Sequence, residues 1–319
     1  MKFDNLQDLP VLLAVAETGS LTAAGKRCGL CTAAISAAVK RLEHSLGVRL
    51  FERTTRAIRL TPQGELMTER ARRALDWLAE GQALARAGSL DLSGTIHISV
   101  AAVLAHELFA QWLTEFVDDN PGVVIDLIIS DVQADIVREG LDISVRHGPL
   151  PDSNHYGRLL APAHRIACAS PEYLARRGTP KEPRDLAEHE CLVYFARGRM
   201  LDTWHFERVD KGGEPIDVDV KGHMISDTSI VHRWALEGRG IVYQTEVAFI
   251  DALASGALVR LFPEWRGEPS PLYAVLPSKD YVPARVTELI RRLQALLAQR
   301  PALALSSAAR NDNVRAQAS

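Results

Sequence analysis

The residues best equipped for chemistry in this 319-residue chain are cations near its beginning. Lys40 and Arg41 sit side by side, and Arg53, Arg56 and Arg59 follow closely. Grouped in this way, guanidinium and ammonium groups suit phosphate oxygens. Such contacts position a protein on a nucleic acid and make its affinity fall with salt. Thr32, Ala33, Ser36 and Ala37 precede them at spacings that share a helical face with Lys40. On that face a hydroxyl can hydrogen-bond a base edge, and an alanine methyl suits the methyl of thymine. Cys28 and Cys31 form a C-x-x-C, the spacing of a redox pair or of half a zinc site. No second C-x-x-C and no histidine pair completes a metal ligand set, and the ten histidines are spread singly. The plainer expectation is a small core residue at Cys28 and a helix-start residue at Cys31.

These groups need elements to hold them. Leu6, Leu9, Leu12, Leu13 and Ala16 predict a helix over residues 5–17. Gly19 ends it, and Ser20 caps a second helix over 21–28. Gly29 makes a turn before a third helix over 32–45, whose buried stripe is Ile35, Val39, Leu42 and Leu46. Gly47 stops that helix. Two short strands, 49–51 and 57–60, then flank an arginine-rich tip. This is the grammar of a winged helix-turn-helix, which lays one helix in the DNA major groove. Thr61-Pro62 starts a long helix running to about 87. Ala71, Ala74, Leu78, Gly81 and Ala85 recur at heptad spacing, mainly as small residues, and predict a dimer seam.

Beyond residue 94 the period changes to alternating strands and helices, which predicts a parallel or mixed sheet covered on both faces. Strands are expected at 95–100, 123–129, 141–145, 165–169, 192–195, 216–220, 241–243, 258–261 and 272–276. Helices are expected at 104–117, 132–138, 171–177, 228–237, 247–253 and 283–299. The tail 301–319 lacks a sustained period and is expected to be disordered. Residues 1–73 carry twelve Lys/Arg against seven Asp/Glu, a balance of +5 that leaves −8 of the chain's net −3 to the remainder. A basic head on an acidic body suits a polyanionic partner at one end. No apolar run of eighteen residues occurs and the N-terminus lacks the basic start of a signal peptide, so a cytoplasmic protein is expected.

The run Ala34, Ile35, Ser36, then Lys40, Arg41, Leu42, Glu43, then Leu46 to Arg56 (LGVRLFERTTR) closely resembles the N-terminal signature of LysR-type transcriptional regulators. The resemblance extends more weakly over most of the chain. It implies a winged helix-turn-helix over 1–60 and a linker and dimerisation helix over 61–89. An α/β effector domain like a two-lobed periplasmic solute-binding protein would follow. Lobe one would take 90–161 and 268–300, and lobe two 162–267. The implied partners are a palindromic double-stranded operator, a small-molecule effector, a second copy of the chain in a dimer or tetramer, and RNA polymerase.

By the same resemblance, Thr32, Ala33, Ser36, Ala37, Lys40, Arg41, Arg53 and Arg56 would meet DNA. Where relatives place Ser-Gln-Pro or Ser-Gln-Ser, this chain has Cys31, Thr32 and Ala33, and where they place Arg or His and then Gln it has Ala37 and Ala38, so an unusual or relaxed operator preference is expected. The effector cleft would be lined by Ala101, Ala102, Val103, Ser130, Asp131, Val145, Arg146 and His147. From lobe two it would take Phe195, Trp204, Asp227, Thr228 and Gln244. Trp204 could equally be core, Asp227 a helix cap, and Arg146 and His147 either structural or functional. No dinucleotide fingerprint, phosphate loop, H-E-x-x-H or G-x-S-x-G is present, so neither an enzyme nor a cofactor or metal is expected. A regulator sensing oxidation through Cys28 and Cys31, and an α/β enzyme with an appended DNA-binding head, are the alternatives.

Overall fold

The computed structural model describes residues 6–53, 58–87, 92–131, 136, 139–148, 156–196, 199–210, 214–278 and 282–300. The chain divides into two compact units, Met1–Thr95 and Ile96–Ser319.

In the first unit α1 (Asp8–Thr18), α2 (Leu21–Cys28) and α3 (Thr32–Leu46) precede a hairpin, β1 (Phe51–Arg53) and β2 (Ile58–Leu60), and α4 (Pro62–Ala87). Gly19, Gly29 and Gly47 end the first three helices in the left-handed conformation, where a Cβ would be strained. The Ser20 hydroxyl accepts from Ala23 N as the expected cap. The stripe of α3, Ile35, Val39 and Leu42, packs with Leu12, Val15, Ala24, Leu50 and Phe51 into one core. The Glu43 carboxylate accepts from Leu50 N (2.9 Å) and Phe51 N (3.2 Å), so a side chain of α3 fixes where the hairpin begins. Thr61 caps α4 through Gly64 N at 2.9 Å.

The second unit continues β3 (Ser93–Val100) into α5 (Ala102–Leu104), a π-helical turn over Ala105–Phe109 and α6 (Ala110–Asp119). These three run on without a break. The expected single helix thus begins two residues earlier and carries a wider turn within it. Next come β4 (Gly122–Ile129), β5 (Ile143–His147), β6 (Tyr156–Ala161), β7 (Arg165–Ala169), α7 (Pro171–Arg177) and β8 (Cys191–Ala196). They lead to β9 (Arg199–Met200), β10 (Thr203–Arg208), β11 (Ile216–Asp219), β12 (Ile225–Ser226), α8 (Thr228–Leu236) and β13 (Ile241–Thr245). The chain closes with α9 (Ile250–Ala254), β14 (Val259–Arg260), β15 (Trp265–Arg266), β16 (Leu272–Leu276) and α10 (Ala284–Ala298).

One lobe is built on a five-stranded sheet of order β4-β3-β5-β16-β6. The other is built on β12-β8-β13-β7-β14, with β9 paired to the end of β8, and also holds a three-stranded sheet β11-β10-β15. β3 and β5 run parallel, whereas β16 comes back antiparallel to β5 and β6. The two segments that join the lobes lie side by side. Arg165 N donates to Glu268 O, Ser270 N to Ala163 O, and His164 bridges Pro269.

Five strands go beyond those expected from the sequence: β6, β9, β10, β12 and β15. β10 has a legible pattern, with Trp204 and Phe206 inward and Thr203, His205 and Glu207 less buried. β12 and β15 are two residues long, too short to show any period. The expected tail and most of the expected helix at 132–138 lie outside the described residues.

Candidate functional site

The first candidate surface is the outer side of α3. Thr32, Ala33, Ala37 and Lys40 are exposed there, Ser36 is half-buried, and Ile35, Ala38 and Val39 face inward. The helix therefore offers one polar and methyl-bearing face while its other side carries the core. Arg41 is exposed as well, but its guanidinium is already paired. Its guanidinium lies bidentate on the Asp8 carboxylate, with Nε–Oδ2 at 3.0 Å and Nη2–Oδ1 at 2.6 Å. Asp8 is only 4% exposed, so this pair ties α3 to α1. The bond to Asp8 raises the Arg41 pKa. The Arg53 side chain and the whole of Arg56 lie outside the described residues.

A departure is in α4. Ala71, expected in a dimer seam, is 1% exposed and belongs to the core of the first unit. Packing of α4 over that core explains this, because its first turns must cover the three-helix cluster. Leu78 is 49% exposed, and a Cβ added at Gly81 would meet nothing within 4 Å.

The cysteines are free among the described residues. Cys31 is exposed at the cap position of α3, and Cys28 is half-buried against the same core. Cys168 and Cys191 are buried. Burial pushes the Cys191 thiol up to about 12 and Cys168 upward as well, which keeps both as thiols. No group of three or more His, Cys, Asp or Glu arranged to hold a metal occurs among the described residues.

The second candidate site lies between the lobes of the second unit. Asp131 Oδ1 accepts from Ala102 N at 2.9 Å, and its Oδ2 accepts from the Thr228 hydroxyl at 2.9 Å. Thr228 opens α8, and its carbonyl accepts from Gln244 Nε2 at 2.7 Å. Arg146 Nη1 donates to Ser130 O at 2.7 Å and Nη2 to Ser99 Oγ at 2.8 Å. Burial lowers the Arg146 pKa, while the Asp131 and Glu139 carboxylates oppose that shift. His147 ends β5 half-buried. Ala102, Ser130, Asp131, Thr228 and Gln244 are thus gathered into one place, although they come from separate segments.

Several other expected cleft residues are buried or committed to the fold. Trp204 is 0% exposed and stacks on Tyr243 with ring centroids 5.1 Å apart, so it is core. Its inward position on β10 accounts for that. Val103, Ala101 and Val145 are also buried. Asp227 caps α8, accepting from Ser229 N and Ile230 N, which pulls its pKa down against the cost of burial. Phe195 alone among the apolar candidates is well exposed, at 55%.

Two groups at this junction escape sequence reasoning. His232 of α8 is buried and stacks on Phe249, and its Nε2 approaches Glu107 Oε2 of the π-helical turn at 3.5 Å. The neighbouring His232 ring holds the Glu107 carboxyl below its usual range, against the effect of burial. A π turn often marks a functional position, but nothing in its residues AHELF distinguishes it from an ordinary helix. Near the joining segments, Arg165 Nε lies 3.0 Å from Glu268 Oε1 and Arg165 also donates to Tyr194, while Tyr243 Oη contacts Glu268 Oε2 at 2.5 Å.

A three-helix head with a two-strand wing, followed by a two-lobed α/β unit, defines a class of ligand-responsive DNA-binding proteins. Comparison with known families agrees. Residues 6–65 match the bacterial regulatory helix-turn-helix protein, lysR family, and residues 90–298 match the LysR substrate binding domain. The chain belongs to the LysR family of transcriptional regulators.

The HTH-type transcriptional activator AaeR of Escherichia coli (strain K12) is 30% identical over 291 residues, 91% of this chain and 93% of that protein. The HTH-type transcriptional regulator PtxR of Pseudomonas aeruginosa is 33% identical over 303 residues, 93% and 94% of the two chains. Among solved structures, CrgA, a LysR-type transcriptional regulator from Neisseria meningitidis, superposes with a TM-score of 0.55 at 30% identity, covering 92% of this chain and 99% of that one. The chain is accordingly a transcriptional regulator rather than an enzyme. It binds DNA through its helix-turn-helix and an effector through its substrate-binding domain.

Proposed function

We propose that the chain acts as a homodimer on a palindromic operator in the cytoplasm, with dimers pairing into tetramers, and that it communicates with RNA polymerase. In this organisation 1–60 is the DNA-binding head and 61–89 the linker and dimerisation helix. Residues 90–161 with 268–300, and 162–267, are the two effector-domain lobes. Thr32, Ala33, Ser36, Ala37 and Lys40 of α3 meet the major groove, with Arg53 and Arg56 at the wing tip. A twofold dimer reads two half-sites and so multiplies the discrimination of one short helix. The effector lies between the lobes near Ala102, Ser130, Arg146, His147, Phe195, Thr228 and Gln244. It acts by binding one arrangement of the lobes better than another.

The observation that carries this proposal is the exposed face of α3, where Thr32, Ala33, Ala37 and Lys40 stand clear of the core. Two alanines on that face favour contacts with thymine methyls over bidentate hydrogen bonds. A randomised-site selection tests it. Replacing Ala37→Arg should change the preferred base at one position of each half-site, towards guanine. An unchanged preference would remove this docking.

A further inference from the structure

Ala101 occupies the position before α5 and has no side chain able to cap it. Alanine is among the poorest N-caps, because the first helical amides then lack an acceptor. The missing acceptor comes from a distance. Asp131, 29 residues later, places Oδ1 at 2.9 Å from Ala102 N. Its other oxygen takes the hydroxyl of Thr228, 97 residues further on and in the other lobe. Thr228 is itself 7% exposed and is pinned through its carbonyl by Gln244. Asp131 is also held from behind, since Ser130 N donates to Val100 O at 3.1 Å and Arg146 donates to Ser130 O. One carboxylate therefore joins the N-terminal turns of two helical segments that belong to different lobes, and both turns present the positive end of a helix dipole.

We propose that Asp131 is an internal anion of the effector site. It latches the two lobes and selects against effectors that bind through a carboxylate, leaving neutral or cationic hydrogen-bond donors as the accepted class. The proposal rests on the effector site lying between the lobes. A free acid would have to displace a tethered carboxylate that faces its donors at high effective concentration. It would also stand beside a like charge, and the nearby Arg146 guanidinium already donates to Ser130 O and Ser99 Oγ. A donor ligand meets the opposite situation. A carboxylate offers about four lone-pair sites, and Ala102 and Thr228 use two of them. Asp131 itself is exposed, so the remaining ones are within reach of a ligand.

The test uses the full chain and thermal unfolding at constant ionic strength, in sodium chloride or in sodium acetate. The Asp131→Ala variant should melt about 2–4 °C below the unmodified protein in chloride. Acetate should restore most of that difference while leaving the unmodified protein unchanged. The proposal is overturned if acetate raises the melting temperature of the unmodified protein as much as that of the variant, because the donors would then be open to free acids. It is also overturned if the variant melts with the unmodified protein. Should Asp131→Ala not fold, Thr228→Val removes one of the two donors. It should show about half the drop, and an unchanged melting temperature there overturns the latch. Retention of duplex DNA by the unmodified protein is measured alongside. Loss of that retention would strike the regulator reading and leave the latch result standing.

Discussion

Arg41 and Lys40 are neighbours with different duties. Arg41 commits its guanidinium to the buried Asp8, and Lys40 stands exposed on the outer face of α3. The salt dependence of operator binding separates them. Removing one cation that neutralises a phosphate lowers the slope of log K against log salt by about 0.9. In the proposed dimer Lys40→Ala removes one such cation from each head and should reduce the slope by about 1.8. Arg41→Ala should leave the slope unchanged but lower the melting temperature of the first unit, because it strands the Asp8 carboxylate. Equal slope reductions for both variants would return Arg41 to the DNA surface. The sequence places both cations on one helix, yet the choice between phosphate and Asp8 depends on where α1 packs, 33 residues away.

At the scale of elements, two junctions decide geometry. The start of α4 passes directly over the backbone of Leu50, where a Cβ on Gly64 would lie 2.0 Å from the Leu50 carbonyl oxygen. Gly64→Ala should therefore destabilise the head by about 1–3 kcal/mol, the usual range for overpacking, seen as a lower denaturation midpoint. The π-helical turn and α8 meet at Glu107 and His232. A carboxyl held below its ordinary value of 4.5 contributes stability that is complete above that pH and disappears as pH falls through the lower folded-state value. In melting curves from neutral pH downward, Glu107→Gln should start less stable than the unmodified protein and converge with it below about 4.5. Parallel curves would mean that this contact does not bias the fold.

At the scale of the whole molecule, the exposed part of α4 bears on how two copies meet. α4 leaves Leu66, Trp77 and Leu78 well exposed, and Ala71 is already taken up by the core. In the dimer proposed above, the seam would be carried by the later turns, where Leu78 and Gly81 lie. Replacing Leu78→Asp puts a charge into that seam and should convert dimers to monomers in sedimentation velocity. Operator affinity should fall with it, since one head alone forfeits a half-site. A dimer that persists would place the twofold contact on another surface. The five-stranded sheet illustrates the same dependence on long-range order. Its strand β16 returns from the far end of the chain to lie between β5 and β6, a connection that family resemblance implied and periodicity did not.

The sequence by itself determined the head: three helices, their glycine stops, the Ser20 cap and the apolar stripe of α3. It also determined the strand-helix alternation of the body. These signals are local, written at spacings of two, three and four residues, so they survive without knowledge of the partner element. Tertiary structure alone decided which polar groups are free. Trp204 went to the core, Asp227 became a cap, Arg41 was bound by Asp8, and Asp131 reached Thr228 across 97 residues. Such pairings depend on sheet order and on how the joining segments bring the lobes together, and a one-dimensional pattern does not encode that geometry.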